Sequence, residues 1–129
     1  MRIVNVDKTL NVLVVDDSAV MRAVVKRAIK ASGVAIANIH EAPDGAQAIG
    51  VLEANSIDVV FTDINMPVMT GIELLQAIMD RGWDHLTRIV VSTEGSTARR
   101  DELGRLGVRA TVEKPFVPEA IRDALRDAG

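Results

Sequence analysis

Five side chains of this sequence stand where apolar runs stop. Asp16 and Asp17 follow LNVLVV (10–15), Asp63 follows IDVVFT (57–62), Ser92 closes RIVVS (88–92) and Lys114 follows VRATVE (108–113). If three carboxylates, a hydroxyl and an amine meet, two kinds of chemistry open. Packed carboxylates repel: at about 4 Å and an effective dielectric of about 20, each like-charged pair costs about 4 kcal/mol, so the group requires a proton or a cation. An all-oxygen ligand set without His or Cys suits a hard ion, Mg2+ above others, and Mg2+ held by few carboxylates keeps positions open for phosphoryl oxygens. A carboxylate can also attack a phosphoryl group and form an aspartyl phosphate. That reaction brings two anions together. Mg2+ on one side, Lys114 on another and a hydrogen bond from Ser92 would offset the charge.

Each residue alone has a plainer reading. Asp16-Asp17 ahead of SAVMR would cap a helix, Asp63 would be a turn acid, Ser92 an ordinary strand-end serine and Lys114 a solvated lysine before Pro115. The case for chemistry rests on the elements that carry them. The four runs already named, with a weaker one, AIANIH (35–40), are rich in Val and Ile. They are nearly continuous rather than alternating, except AIANIH and VRATVE, as strands read when both faces of a parallel sheet are covered. Strands alternating with helical segments predict an α/β domain with a mainly parallel sheet. In such open sheets ligands bind beyond the carboxyl ends of strands, where strand order reverses. The five side chains are therefore expected to converge on one edge.

The intervening segments have helical spacing. SAVMRAVVKRAIKA places Val20, Ala23, Val24, Ala28 and Ala31 on an expected buried stripe, with Arg22, Lys26, Arg27 and Lys30 toward water. Ser18 is the expected N-cap and Gly33 the stop. DGAQAIGVLEAN opens on an Asp-Gly cap and ends near Asn55. GIELLQAIMDRG is expected to bury Ile72, Leu75, Ile78 and Met79 and to end at Gly82. STARRDELGRLG and PEAIRDALRDAG complete the set, with Pro118 suited to a first helical position. Met79 reads as core filling, and Met66, ahead of Pro67, as an exposed residue beside the site. Trp83 and His85 read as loop residues, His85 on the surface.

Composition bounds the answer. The 129 residues fit one domain, with 48% hydrophobic and 26% charged residues, as in an ordinary globular protein. A net charge of −3 argues against a general nucleic-acid binder. Without cysteine, disulfides and thiolate metal sites are excluded, which fits a reducing cytoplasm. No stretch has the form of a signal peptide or the length of a membrane span. With one Trp, two Phe and no Tyr, the core must be built from Val, Ile, Leu, Ala and Met. Residues 1–9, in which Ile3, Val4 and Val6 stand out, read as a short leader; residues 10–128 read as the domain.

At the chemistry-bearing residues the sequence resembles a known family. LVVDDSAVMR, DINMPVMTGIELL, VVSTEG and VEKPF look like the signature blocks of response-regulator receiver domains, most of all stand-alone chemotaxis regulators of the CheY type. The likeness runs through residues 10–128. It implies a flavodoxin-like five-stranded parallel sheet of order 2-1-3-4-5 with helices on both faces. It also implies a phosphorylation-activated switch in a two-component system. Asp63 would accept the phosphoryl group from a histidine kinase. Asp17 would ligate Mg2+ directly, Asp16 mostly through water, and Asn65 through its backbone carbonyl. Lys114 would pair with the phosphoryl group, across a Lys114–Pro115 bond that is often cis in the family, and Ser92 would be the switch hydroxyl, with Thr93 at a neighbouring position that is usually small. Asn65 and Glu94 would touch the attacking water and favour rapid self-dephosphorylation, while Thr93 would slow it. The family usually carries an aromatic residue on the last strand that follows the switch hydroxyl. Thr111 holds that position here, so signalling is left to the loop and helix around 96–106 or to another side chain.

The resemblance also implies an output partner, a flagellar motor switch among the possibilities, bound by the 96–128 face. Arg99, Arg100, Arg105, Arg109, Arg122 and Arg126 lie there, interleaved with Asp101, Glu102, Asp123 and Asp127. The expected protein is a cytoplasmic monomer in chemotaxis or motility control, with no nucleic-acid or membrane partner and no DNA-binding segment expected after Gly129. Its only catalysis would be its own phosphoryl transfer and dephosphorylation. A phosphorelay intermediate or sink, and a pseudo-receiver binding module, are the alternatives. A phosphatase with an aspartate nucleophile would need a second acid two residues on, where Asn65 stands. A nucleotide-binding domain would need a glycine-rich phosphate loop, and neither G-x-x-x-x-G-K-[ST] nor G-x-G-x-x-G occurs.

Overall fold

The fold was analysed in a computed structural model that describes residues 9–92, 100–113 and 117–126, without the side chains of Ser92 and Arg100. The expected leader, apart from Thr9, lies outside the described residues, as do Thr93, Glu94, Arg99, Lys114, the Lys114–Pro115 bond and the start of the 96–107 segment. Strands and helices alternate along the chain: β1 (Leu10–Val15), α1 (Ala19–Ala31), β2 (Ile36–Ala42), α2 (Gly45–Ala54), β3 (Val59–Thr62), α3 (Gly71–Asp80), β4 (Thr87–Ser92), α4 (Arg100–Arg105), β5 (Val108–Glu113) and α5 (Pro118–Leu125). All pairings are parallel, in the order β2-β1-β3-β4-β5.

Strand alternation explains the continuous apolar runs. Val12, Val14, Val59, Phe61, Ile89 and Val91 face one layer, packed with Val25, Ile29, Ile121 and Leu125 of α1 and α5. Leu13, Val15 and Val60 face the other with Ala48, Ile49, Leu74 and Ile78 of α2 and α3, and Val90 packs with Leu75, Leu103 and Leu106. Central strands covered on both sides have no polar face to show. The two runs that alternate are the sheet edges, β2 and β5, each with exposed positions along its length.

Helix ends follow the sequence closely. Ser18 caps α1, its hydroxyl accepting from Met21 N at 3.2 Å, and Gly33 follows the helix at φ +85°. Asp44 caps α2 by accepting from Gln47 N at 2.8 Å. Thr70 caps α3 in a reciprocal box with Glu73, and Pro118 opens α5.

The buried stripe of α1 is the expected one only at Ala28. Val25, Ala28 and Ile29 are buried, whereas Val20 is 72% exposed and Ala23, Val24 and Ala31 also face solvent. The helix carries two apolar stripes, and the sheet and α5 cover the one through Val25 and Ile29. In α3, Leu74 is buried with Leu75 and Ile78, Ile72 is half-buried and Met79 is 38% exposed rather than core-filling. Met66, expected outside, is buried in the α2–α3 layer.

Arg88 is the second residue of β4 and is buried against the turn that ends α4. Its Nη2 donates to the Trp83 carbonyl at 3.0 Å and its Nη1 to the Leu106 carbonyl at 3.4 Å, while Nε has no partner among the described residues. Burial pulls its pKa below the usual guanidinium value, with Asp84 opposing. The guanidinium thus links the loop before β4 to the carboxyl end of α4. Gly107, at φ +80°, leaves the room: a β-carbon there would strike Arg88 Nη1.

Candidate functional site

Order reverses at β1, which pairs with β2 on one side and β3 on the other. Its carboxyl end and that of β3 therefore border the crevice in which such sheets hold ligands. The ladders deliver the acids there. Asp16 N donates to Ala42 O at 3.1 Å and Asp63 N to Val15 O at 3.0 Å, so both residues sit just past the last strand positions.

Asp16, Asp17 and Asp63 each present a carboxylate oxygen, all within 4.8 Å of one another. Asp16 is buried, Asp63 half-buried and Asp17 exposed. One Asp16 oxygen accepts from Ser18 N at 2.9 Å, and Asp63 Oδ1 from Ile64 N at 2.7 Å. Burial is the main cause that pushes the Asp16 pKa above the ordinary aspartate value; the Ser18 N–H opposes it, and the charges of Asp63 and Asp17 add to the rise. The cluster is thus a set of hard oxygen ligands whose mutual repulsion a divalent cation would relieve, and among its members there is neither a His nor a Cys to prefer a softer metal. These residues fit Mg2+.

The backbone under Asp63 is tightly built. Thr62, fully buried, donates its hydroxyl to Asp63 O at 2.8 Å, and Gly71 N donates to Ile64 O at 2.7 Å. A β-carbon on Gly71 would collide with the Asp63 carbonyl. Sequence reasoning missed Gly71, although Thr70-x-x-Glu73 marked the helix start at which it sits. Between them, Pro67 O accepts from Met69 N at 2.7 Å in a γ-turn that holds Val68 at φ +69°.

The other expected site residues divide. Asn65 is exposed in the β3–α3 loop, two residues past Asp63. Ser92 ends β4 opposite Glu113, so its backbone reaches the same edge as the acids, and Lys114 follows Glu113 in the chain. Thr111 is exposed on β5 beside Val90. On the expected output face, Arg105, Arg109, Arg122 and Arg126 are all exposed, and Arg126 pairs with Asp123 at 2.8 Å. Trp83, half-buried under Arg81, and exposed His85 belong to the loop before β4, at the opposite edge of the sheet from the acids. Among the described residues no helix is long and apolar enough to cross a membrane.

A second residue passed over by the sequence reading is Arg22, set down there as a solvated base. It is half-buried and joins Asp16 O to Glu41.

Comparison with known proteins gives a consistent answer. Residues 12–126 match the response regulator receiver domain. The chain is 34% identical over 117 residues to chemotaxis protein CheY of Pseudomonas aeruginosa, covering 90% of this chain and 93% of that one. It is also 34% identical to chemotaxis protein CheY-3 of Vibrio cholerae over 120 residues, 92% of this chain and 91% of the relative. Among solved structures, chemotaxis response regulator CheY4 of Vibrio cholerae superposes with a TM-score of 0.79 at 30% identity, over 95% of this chain and all of that one. An acidic pocket that binds Mg2+ is a property of receiver domains, and the three aspartates are such a pocket in outline. With the fold, the acid cluster and the match in agreement, the chain belongs to the response regulator receiver domain family, the signalling modules of two-component systems.

Proposed function

We propose that this receiver is a phosphorylation-activated switch in which Asp63 takes a phosphoryl group from the phosphohistidine of a histidine kinase. The carrying observation is the meeting of Asp16, Asp17 and Asp63 within 4.8 Å at the point where strand order reverses. An Asp63 carboxylate oxygen attacks phosphorus, the P–N bond breaks, and the electron pair returns to the imidazole, which takes up a proton. Asp17, Asp63 and the Asn65 carbonyl would hold Mg2+, with Asp16 acting mostly through water. The ion, when bound, offsets the negative charge of the phosphoryl oxygens. Ile64 N–H holds one Asp63 oxygen, which orients the carboxylate. Lys114 pairs with the phosphoryl group, and Ser92 hydrogen-bonds it and relays its presence to the segment that follows β4.

Thr111 has no ring to swing, so the signal passes through that segment and α4 to an α4–β5–α5 face. Asn65 and Glu94 orient the water that later hydrolyses the aspartyl phosphate, and Thr93 hinders its approach. The 34% identity to chemotaxis proteins supports an output in chemotaxis or motility control, by contact with a partner such as a flagellar motor switch. On this reading the protein works in the cytoplasm as a monomer, and its only catalysis is its own phosphoryl transfer and hydrolysis.

The test is intact mass after acetyl phosphate or phosphoramidate, with Mg2+ present or chelated. One added phosphate that requires Mg2+ and is lost in Asp63→Asn is the expected result. A folded protein that takes no phosphate under either condition overturns the proposal in favour of a constitutive binding module.

A further inference from the structure

We infer that Arg22 is a positioning residue for the metal site: it fixes the Asp16–Asp17 peptide through the Asp16 carbonyl and is itself held by Glu41. The inference rests on the proposal that the three aspartates hold Mg2+.

The turn after β1 leaves an acceptor to be satisfied. Asp16 N completes the ladder to Ala42, but Asp16 O lies past the last strand position, between the strand end and the Ser18 cap. A helical side chain points back toward the amino end, so a long residue one turn into α1 reaches that oxygen. Arg22 does so, its Nη1 donating to Asp16 O at 2.6 Å, while its backbone N–H donates to Ser18 O at 2.9 Å. Its Nε donates to Glu41 Oε1 at 2.9 Å, and Lys26 Nζ to the other Glu41 oxygen at 2.7 Å. The guanidinium uses two donors in a fixed fork, and its side chain is only 17% exposed. With Ser18 N–H on the carboxylate, the Asp16 residue is held at N–H, C=O and Oδ1 together.

Electrostatics alone argues against a cation in this place. The amino end of a helix carries a partial positive charge, and a guanidinium beside a metal site weakens cation binding by repulsion. Glu41 compensates in part, but the geometric bond to Asp16 O is what the position supplies. Without it the Asp16–Asp17 peptide can rotate, and both carboxylates move relative to Asp63.

The two effects have opposite signs, and that makes the test decisive. If only charge matters, Arg22→Met tightens Mg2+ binding and Arg22→Lys leaves it unchanged. If Arg22 positions the peptide, both weaken it, by about tenfold on the scale of lost outer partners of metal ligands. The measurement is the melting temperature of the full chain against Mg2+ concentration, which gives the half-saturating concentration without any phosphoryl transfer. Arg27→Met, an exposed change on the same helix, is the charge control and is expected to match wild type or bind slightly tighter. Half-saturation shifted about tenfold upward in both Arg22 variants, with metal-free melting still cooperative, is the expected outcome. Unchanged or tighter binding in Arg22→Met overturns the inference while leaving the Mg2+ site intact; absence of Mg2+ binding in wild type overturns the metal site and the inference with it. Should Arg22→Met fail to fold, Arg22→Lys decides by the same shift.

Discussion

At the scale of single residues, the molecule carries strain where it builds its site. Val68 is a β-branched residue at φ +69°, in the left-handed region that suits Gly or Asn, and its side chain is 81% exposed. It gains little from burial to offset that conformation. Val68→Asn should therefore stabilise the protein by about 1 kcal/mol, the lower end of the penalty for an L-residue in that region. A higher urea midpoint at unchanged slope checks it. No Gly or Asn in PVMT announces this conformation; it follows from the need to bring Met69 back across Pro67 and start α3 against the Asp63 carbonyl. Arg22 shows the same limit. Its sequence position reads as solvent-facing, and only the turn after β1 shows which oxygen it serves.

At the scale of elements, the helices show how far periodicity goes. The caps at Ser18 and Asp44 and the helix start at Pro118 were readable because local hydrogen bonding and fixed proline geometry decide them. The buried stripe of α1 was not, because Val20, Ala23 and Val24 form as good an apolar stripe as Val25, Ala28 and Ile29. Which one is covered depends on how the helix lies on the sheet. The carboxyl end of α4 gives a prediction of this scale. Gly33 and Gly107 both have positive φ, but only at Gly107 does a β-carbon meet another group, Arg88. Gly33→Ala should destabilise by about 1 kcal/mol from backbone strain alone, and Gly107→Ala by about 1 kcal/mol more from the displaced guanidinium. Equal losses in denaturant titrations of the two variants would show that Arg88 yields freely.

For the whole molecule, the sheet forces like charges together at one edge, and stability must respond to pH accordingly. The Asp16 pKa is raised in the folded protein, so its ionisation opposes folding. The penalty is absent below the ordinary aspartate value. It grows as pH rises through the range up to the raised folded value and is fully present above that. Asp16→Asn keeps an oxygen for Ser18 N–H and removes the charge, so at neutral pH without metal it should melt higher than wild type. The gain should disappear in strong acid, and it should shrink in saturating Mg2+, which relieves the same repulsion in wild type. Thermal melts across pH with and without Mg2+ check all three; a variant less stable than wild type at neutral pH contradicts the account.

By itself the sequence determined the element order, the parallel sheet and the edge at which the acids gather. Continuous Val- and Ile-rich runs require two covered faces, and an acid at a strand end can only project from that end. The two runs that alternate, 35–40 and 108–113, lie in the edge strands β2 and β5, a placement that the sequence reading did not draw from the alternation. Tertiary structure alone decided which α1 stripe is buried, that Met66 goes inside while Met79 stays out, and that Arg88 and Arg22 serve backbone carbonyls far from them in the chain or across a turn. Those outcomes depend on contacts between segments distant in sequence, where volume and unsatisfied carbonyls, rather than local preference, choose the partner.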